Sequence, residues 1–491
     1  MKATMTENKE NPSSINNIPF EILYQIVSLI PLKEAARTII LSSSWKHLWT
    51  PVQVSLNIDF DQIKTQESGQ QMNQIISSFL NTYETSYQIL NLSFLTPKTV
   101  SKETLFFKAI KGVDKELHIC FNGETPQVFG LTIELPLLEN DHFCSLKTLH
   151  LRSITSLAGS FLPALFSGCR NLETLTLEKC CGMQDVDLKA HEFLQNFVVL
   201  DCENMTSVTI SSASNLQSFC YRGCLVKIEL KDVPKLCDVT LNIEGTTPLR
   251  NDDSEFNSED LLPLLASLKD VEVLTLSGWL LQWFCTSGVI FDDFEFKFDK
   301  LKKLSWIDCC MNKQKRDSLA GFLSITPSLE NLFIKFLIIN LTESKLNFWL
   351  LKQIDEKWST KPCPQFHQSW RQVWNNDAGA AARSNDWQLK HLKTVEFWGF
   401  KIEEEKRLLV SLMDDLLKKA IAIKKMSVTE PENKLSWCVA KVPRSHLKKM
   451  AKASTTTGHP SKSSLLLSSM DNDCCFRLTP IHENGKLSRF L

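Results

Sequence analysis

Leu172-Glu173-Thr174-Leu175-Thr176-Leu177 is the hexapeptide on which the reading of this chain turns. Apolar residues stand first, fourth and sixth, and the last three positions alternate as they would on a half-buried strand. The spacing recurs as Leu146-x-x-Leu149-x-Leu151 and Val271-x-x-Leu274-x-Leu276. Blurred copies begin at Phe197, Leu216, Leu236, Leu301, Leu329 and Leu392. Successive starts fall 26, 25, 19, 20, 35, 30, 28 and 63 residues apart. Leucine makes up 69 of 491 residues, an excess that such a recurring unit explains.

A period of about 20–29 residues with this spacing is that of leucine-rich repeats. One unit cannot bury its apolar face, but a stack of units can. The expected fold is therefore an irregular α/β repeat solenoid, each unit supplying a short strand, a turn and a return segment. The longer gaps imply insertions or a missed copy. The competing fold, a parallel α/β sheet, requires regular helices between strands, and the connectors are too irregular for it. Cys180, Cys309 and Asn171 beside the strands fit small polar side chains that satisfy buried turn backbone.

Outward from the repeats, residues 17–51 carry a different pattern. Ile22, Leu23, Ile26, Leu29 and Ile30 share one helical face, with Pro19 in the first turn and Pro31 ending the helix. Leu32, Ala35, Ala36 and Ile39 form a second stripe. Ser42 or Ser43 can cap a third helix bearing Trp45, Leu48 and Trp49. So small a unit cannot bury two Trp and a row of Ile and Leu by itself. Physics alone leaves two readings open, a partner-docking module and a cap sealing the array. The ordered run Ile18-Pro19-x-Glu21-Ile22-Leu23…Ile26…Pro31-Leu32-Lys33-Glu34-Ala35-Ala36-Arg37…Leu41-Ser42…Trp45-Lys46-x-Leu48-Trp49 resembles the F-box of plant F-box/leucine-rich-repeat proteins. That resemblance implies docking on the Skp adaptor of a cullin–RING ubiquitin ligase, with the repeats holding a substrate protein. It also implies that Pro19, Leu23, Ile26, Pro31, Leu32, Leu41, Trp45 and Leu48 supply adaptor contacts or the packing behind them. Phe20 stands where that family usually has an acidic residue.

Near the other end, residues 389–428 read as strand, helix and strand. Glu403, Glu404 and Glu405 open the helix, and Lys418 and Lys419 close it, which complements its macrodipole. This unit is similar to the module called FBD in the same family and suits an FBD-like cap on the array. The repeats thus occupy 52–388. A Trp-rich insertion near 343–388, holding Trp349, Trp358, Trp370, Trp374 and Trp387, is either an irregular packed segment or a substrate-reading loop. Residues 1–16 are expected as a disordered leader. Residues 429–491 are expected as a largely disordered basic tail, with seven Lys or Arg and no acid between 433 and 470.

Net charge is −1, from 55 basic and 56 acidic residues, which argues against a globally basic nucleic-acid binder. Seven tail charges without interleaved aromatics make nucleic acid an unlikely partner. No apolar run approaches a bilayer span and the start is polar, so the nucleus or cytoplasm is expected, with reduced thiols. Of the 16 Cys, six form the adjacent pairs Cys180-Cys181, Cys309-Cys310 and Cys474-Cys475, none has CxxC spacing, and no metal or other cofactor is expected. Phosphate-loop, nucleophile-elbow and HExxH motifs are absent, so a non-catalytic receptor is expected. Two other readings stay open: a scaffold without adaptor docking, and a small-molecule-dependent co-receptor of the same ligase class.

Overall fold

The computed structural model describes residues 145–154, 156–157, 159–189, 191–244, 258–286, 289–308, 311, 313–336, 387–400, 402–430 and 436–443. It also describes shorter pieces at 18–19, 22–23, 53–58, 87–94, 113–121, 130–131, 465–468 and 474–481. The chain folds as two compact units, residues 1–216 and 217–491.

In the first unit, β1 (Gln53–Ile58), β2 (Tyr87–Phe94), β3 (Val113–Phe121), β5 (Thr148–Arg152), β7 (Thr174–Glu178) and β9 (Asn196–Leu200) pair in parallel in that order. A two-stranded pair, β4 (Gly130–Leu131) and β6 (Ser156–Leu157), lies apart from them. The return segments are α1 (Phe161–Gly168), which buries Phe161, Leu162, Ala164 and Leu165, and then two strands, β8 (Asp185–Lys189) and β10 (Ser207–Ser211), paired in parallel. Val186, Leu188, Val208 and Ile210 are fully buried, as are Leu149, Leu151, Leu175, Leu177, Phe197 and Val199 on the repeat strands.

In the second unit, β11 (Ser218–Cys224), β13 (Asp238–Glu244), β14 (Val273–Ser277), β15 (Lys303–Asp308), β16 (Asn331–Phe336), β17 (Thr394–Trp398) and β18 (Lys425–Thr429) form a parallel run. β12 (Lys227–Lys231) follows β11 as a return strand. The later returns are helical: α2 (Ser258–Ser267), α3 (Gly278–Thr286), α4 (Lys313–Ser324) and α5 (Ile402–Lys419). Helices thus appear one per repeat where the repeat is long, and strands where it is short.

All nine expected repeats fall on strands, with one slip. The third copy starts at Leu194, not Phe197, because Phe197 aligns with Leu175 and Val199 with Leu177 across the ladder. The spacings from Leu146 to Leu236 become 26, 22, 22 and 20. Strands β1, β2 and β3 are three further repeats that the pattern missed. Register aligns Val54 with Leu90, Leu90 with Leu117 and Leu117 with Leu149. Three residues before these positions stand Pro51, Tyr87 and Asp114, so the leading leucine of the pattern is lacking.

The FBD-like segment is the expected strand, helix and strand, with Leu409, Leu412, Met413 and Leu416 buried along α5. The tail corrects the sequence reading. β19 (Ser436–Pro443) pairs antiparallel with β18, β21 (Cys474–Ile481) with β19, and β20 (Leu465–Ser468) with β21. Its basic composition hid an alternation: Val439, Leu467, Phe476 and Leu478 are buried. An antiparallel ladder therefore covers the edge that β18 would otherwise expose. The expected leader and most of the Trp-rich segment lie outside the described residues. Trp387 is described, with the Lys419 ammonium 4.8 Å over its ring.

The second unit also contains a buried ion pair. Asp308 ends β15 on the core side, and Lys315 of α4 reaches it at 2.7 Å with only 1% of its side chain exposed. Beside it α3 starts without a turn. The Ser277 hydroxyl donates to the Ile243 carbonyl and accepts from the Leu280 N–H, capping the helix. Gly278 is required there, since a Cβ would strike the Trp306 ring and lie 2.6 Å from the Asp308 carboxylate. Lys315→Met alone leaves a buried carboxylate without its cation and is expected to cost ~3–5 kcal/mol. Lys315→Met with Asp308→Leu should recover most of that loss. Urea unfolding of the three proteins checks it, and a double variant no more stable than the single would refute the assignment.

Candidate partner-binding surfaces

Alternation decides which side chains a repeat strand can offer. On β3, β5 and β7 the odd-numbered residues Leu117, Ile119, Leu149, Leu151, Leu175 and Leu177 are buried, so Glu116, His118 and Cys120 of β3, Thr148, His150 and Arg152 of β5, and Thr174, Thr176 and Glu178 of β7 share the opposite face. Register places His118 beside His150 and Arg152 beside Glu178. The two imidazoles meet edge to face, with centroids 5.6 Å apart, and His118 Nε2 lies 3.6 Å from the Glu116 carboxylate. Glu178 is 3.3 Å from His150 Nε2 and 3.4 Å from Arg152 Nε. Asn196 of β9 extends the ladder by donating to the Thr174 hydroxyl at 3.1 Å.

Burial alone would push the Glu178 carboxyl up. The contact from His150 and the charges of Arg152 and Lys179 outweigh it and hold the group at about 2. His118 is lowered too, first by burial and then by the facing His150, against the pull of Glu116. At neutral pH the cluster therefore offers a neutral imidazole, able to donate and to accept, next to a satisfied Glu178–Arg152 pair.

The second unit presents another chemistry. Its central row runs Cys220, Thr240, Thr275, Ser305, Phe333, Glu396 and Ser427 from β11 to β18. Lys303 and Lys335 stand over Phe333 at 5.1 and 5.8 Å from its centroid. Glu396 is occupied by Lys425 at 2.7 Å and Trp398 Nε1 at 3.3 Å.

Thiols play a structural part. Cys180 Sγ donates to the Leu151 carbonyl and Cys202 Sγ to that of Leu177, so these thiols bond strand carbonyls of the preceding repeat rather than the turn backbone expected for Cys180. Its hydrogen bond with Cys180, and then burial, push the Cys202 thiol up, so it stays protonated and a donor. Cys309 lies outside the described residues. Among the described residues no cluster of three or more His, Cys, Asp or Glu is arranged to hold a metal ion, and no helix is long and apolar enough to cross a membrane.

Residues 135–353 match the repeat family described as At1g61320/AtMIF1, LRR domain. The chain is related to plant F-box/leucine-rich-repeat proteins. F-box/LRR-repeat protein At5g02910 of Arabidopsis thaliana is 25% identical over 351 residues, 69% of this chain and 75% of the relative. Putative F-box/LRR-repeat protein At3g18150 of the same plant is 27% identical over 59% of this chain and 66% of its own length. F-box/FBD/LRR-repeat protein At5g56420, also from Arabidopsis thaliana, is 27% identical over 34% of this chain and 44% of its own length.

Of the eight expected adaptor-facing residues, the structure describes Pro19 and Leu23. Ile26, Pro31, Leu32, Leu41, Trp45 and Leu48 lie outside the described residues. The Pro19 carbonyl accepts the Ile22 and Leu23 N–H groups at 3.1 Å, so a helical turn opens there as expected. Leu23 is 4% exposed and Ile22 46%, which separates two residues the periodicity had put on one face. Leu23 therefore packs within the chain, and Ile22 points outward. The strand-face clusters were not foreseen, because the x positions of the repeat pattern carry no periodic signal.

Glu178 supports a pH prediction. Its carboxyl ordinarily titrates near 4.5 and is held near 2 in the fold, so its contribution is full above 4.5 and fades as pH falls through 2. Glu178→Gln should lower the thermal midpoint most at pH 5–7, and the gap from the native chain should close toward pH 2. Melting curves across that range check it, and a gap that widens in acid would refute it.

Proposed function

We propose that this chain is the substrate-recognition subunit of an SCF-type ubiquitin ligase. Its F-box docks on a Skp-type adaptor, and through it on cullin and RING subunits, while its repeat strand faces hold a substrate protein for ubiquitination. One observation carries the reading: a single chain joins the ordered F-box sequence at 18–49 to repeat strands with polar, charged outward faces. Relatives named F-box/LRR-repeat proteins support it.

Such a subunit needs no reacting atom of its own. Tethering a substrate near the ubiquitin carrier raises its effective concentration, which is where the rate gain arises. In this reading Pro19, Ile26, Pro31, Leu32, Leu41, Trp45 and Leu48 meet the adaptor or support those that do, and Leu23 fixes the first helix from behind. The complex acts in the nucleus or cytoplasm. A scaffold that has lost adaptor docking is the second reading. It is favoured by Phe20, which lacks the charge that would complement a helix N-terminus.

Calorimetry of a purified Skp-type adaptor against the full chain decides between them. Micromolar or tighter binding is expected. Ile22→Asp with Trp45→Ala should weaken it at least tenfold, while Leu23→Ala should act through stability, at a cost of ~2–5 kcal/mol. Absence of binding by the folded native chain would refute the receptor reading and favour the scaffold.

A further inference from the structure

The strand face of the second unit has a floor of unusual character. Thr240, Asn242, Thr275 and Ser305 are 6, 3, 7 and 3% exposed, and strand alternation turns all four away from the core. Their side chains make no hydrogen bond among the described residues, and their polar atoms stay open to solvent at the face. Three hydroxyls and an amide can each donate and accept, so together they match the alternating N–H and C=O groups of an extended main chain.

Charge completes the description. The described charged side chains of this face on β11 to β16 are Arg222, Asp238, Lys303 and Lys335, an excess of positive charge. Lys303 and Lys335 both stand over the Phe333 ring, one strand beyond Ser305. Strands about 4.8 Å apart put the floor and this cation pair within ~15 Å, the reach of four or five extended residues.

We infer that this face binds an extended acidic peptide segment of the substrate. Its main chain lies on Thr240, Asn242, Thr275 and Ser305, and a carboxylate side chain sits between Lys303 and Lys335. This deepens the receptor reading and rests on it for the ligand being part of a protein.

The test uses the full chain and fluorescein-labelled decapeptides of alternating Glu-Ser, Gln-Ser and Lys-Ser, with a ten-nucleotide thymidine strand as a second anion. Fluorescence anisotropy should show the Glu-Ser peptide binding at least tenfold tighter than the other three. Lys303→Glu with Lys335→Glu should abolish that preference, and Lys303→Arg with Lys335→Arg should retain it. Asn242→Leu with Thr275→Val should weaken the Glu-Ser and Gln-Ser peptides alike, by fivefold or more. Equal binding of the oligonucleotide, or acidic-peptide binding indifferent to charge reversal, would overturn the inference. Adaptor binding is measured on the same proteins. Peptide failure with adaptor binding intact overturns the inference alone, and adaptor failure with peptide binding intact overturns the receptor reading alone.

Discussion

A five-residue strand cannot satisfy its own backbone, and in this chain the debt is settled by a shared carbonyl. The residue just before each repeat strand offers its C=O to two consecutive N–H groups of the next repeat. Lys147 takes those of Glu173 and Thr174, and Glu173 takes those of Gln195 and Asn196. In the second unit Gln217, Cys237, Glu272, Lys302, Glu330 and Lys393 do the same in turn. Each repeat is thereby registered against its predecessor before any side chain packs. The side chains at these positions follow suit, with Lys147–Glu173, Lys302–Glu272 and Lys393–Glu330 pairs at 2.6, 2.9 and 2.8 Å. Being exposed, those pairs add little stability. The fixed element is the backbone, which tolerates any residue there that keeps its N–H, and so excludes only proline.

A second constraint follows from the first. The chain leaves four of the registered strands through a left-handed residue: Ser153, Lys179 and Asp201 after β5, β7 and β9, and Gly399 after β17. Most are not glycine, at some cost in strain. Gly399 has no alternative, since a Cβ would press on the Phe336 carbonyl. After Lys179 and Asp201 the next residue is Cys180 or Cys202, whose thiol returns to a strand carbonyl of the preceding repeat. Beyond this corner the path is free. Returns can be five-residue strands such as β8 and β10 or helices such as α3 and α4, which is why the period wanders.

These constraints explain what was legible. Core positions are dictated by burial, so aliphatic spacing exposed nine strands, and α5 announced itself through its apolar stripe and charged ends. Where burial is met by other means the signal failed. β1 to β3 lack the leading leucine and were missed. Phe197 was taken as a first position when it is a fourth. Short alternations in the tail were drowned by lysine. Val186-x-Leu188 and Val208-x-Ile210 alternate over too few residues, without the leading Leu-x-x of the repeat, to stand out as strands. The outward face had no signal at all. Nothing in periodicity distinguishes His118 and His150 from any other x position until register sets them side by side.

That freedom is the reason function belongs on the strand face. Substituting an x position changes surface chemistry and leaves the ladder, the corner and the core untouched. The two units use the freedom differently. The first builds a charge cluster, in which Glu178 already has two partners and burial holds His118 neutral. The second sets small polar groups, open to solvent, beside a pair of lysines. A satisfied cluster gains little from a ligand, because each new contact must displace an old one. Polar groups open to water exchange one hydrogen bond for another on binding, at a net gain of ~1 kcal/mol each. The imbalance therefore favours the second unit as the place where a partner's main chain would add most affinity, with the first acting through shape and through the donor and acceptor of a single neutral imidazole.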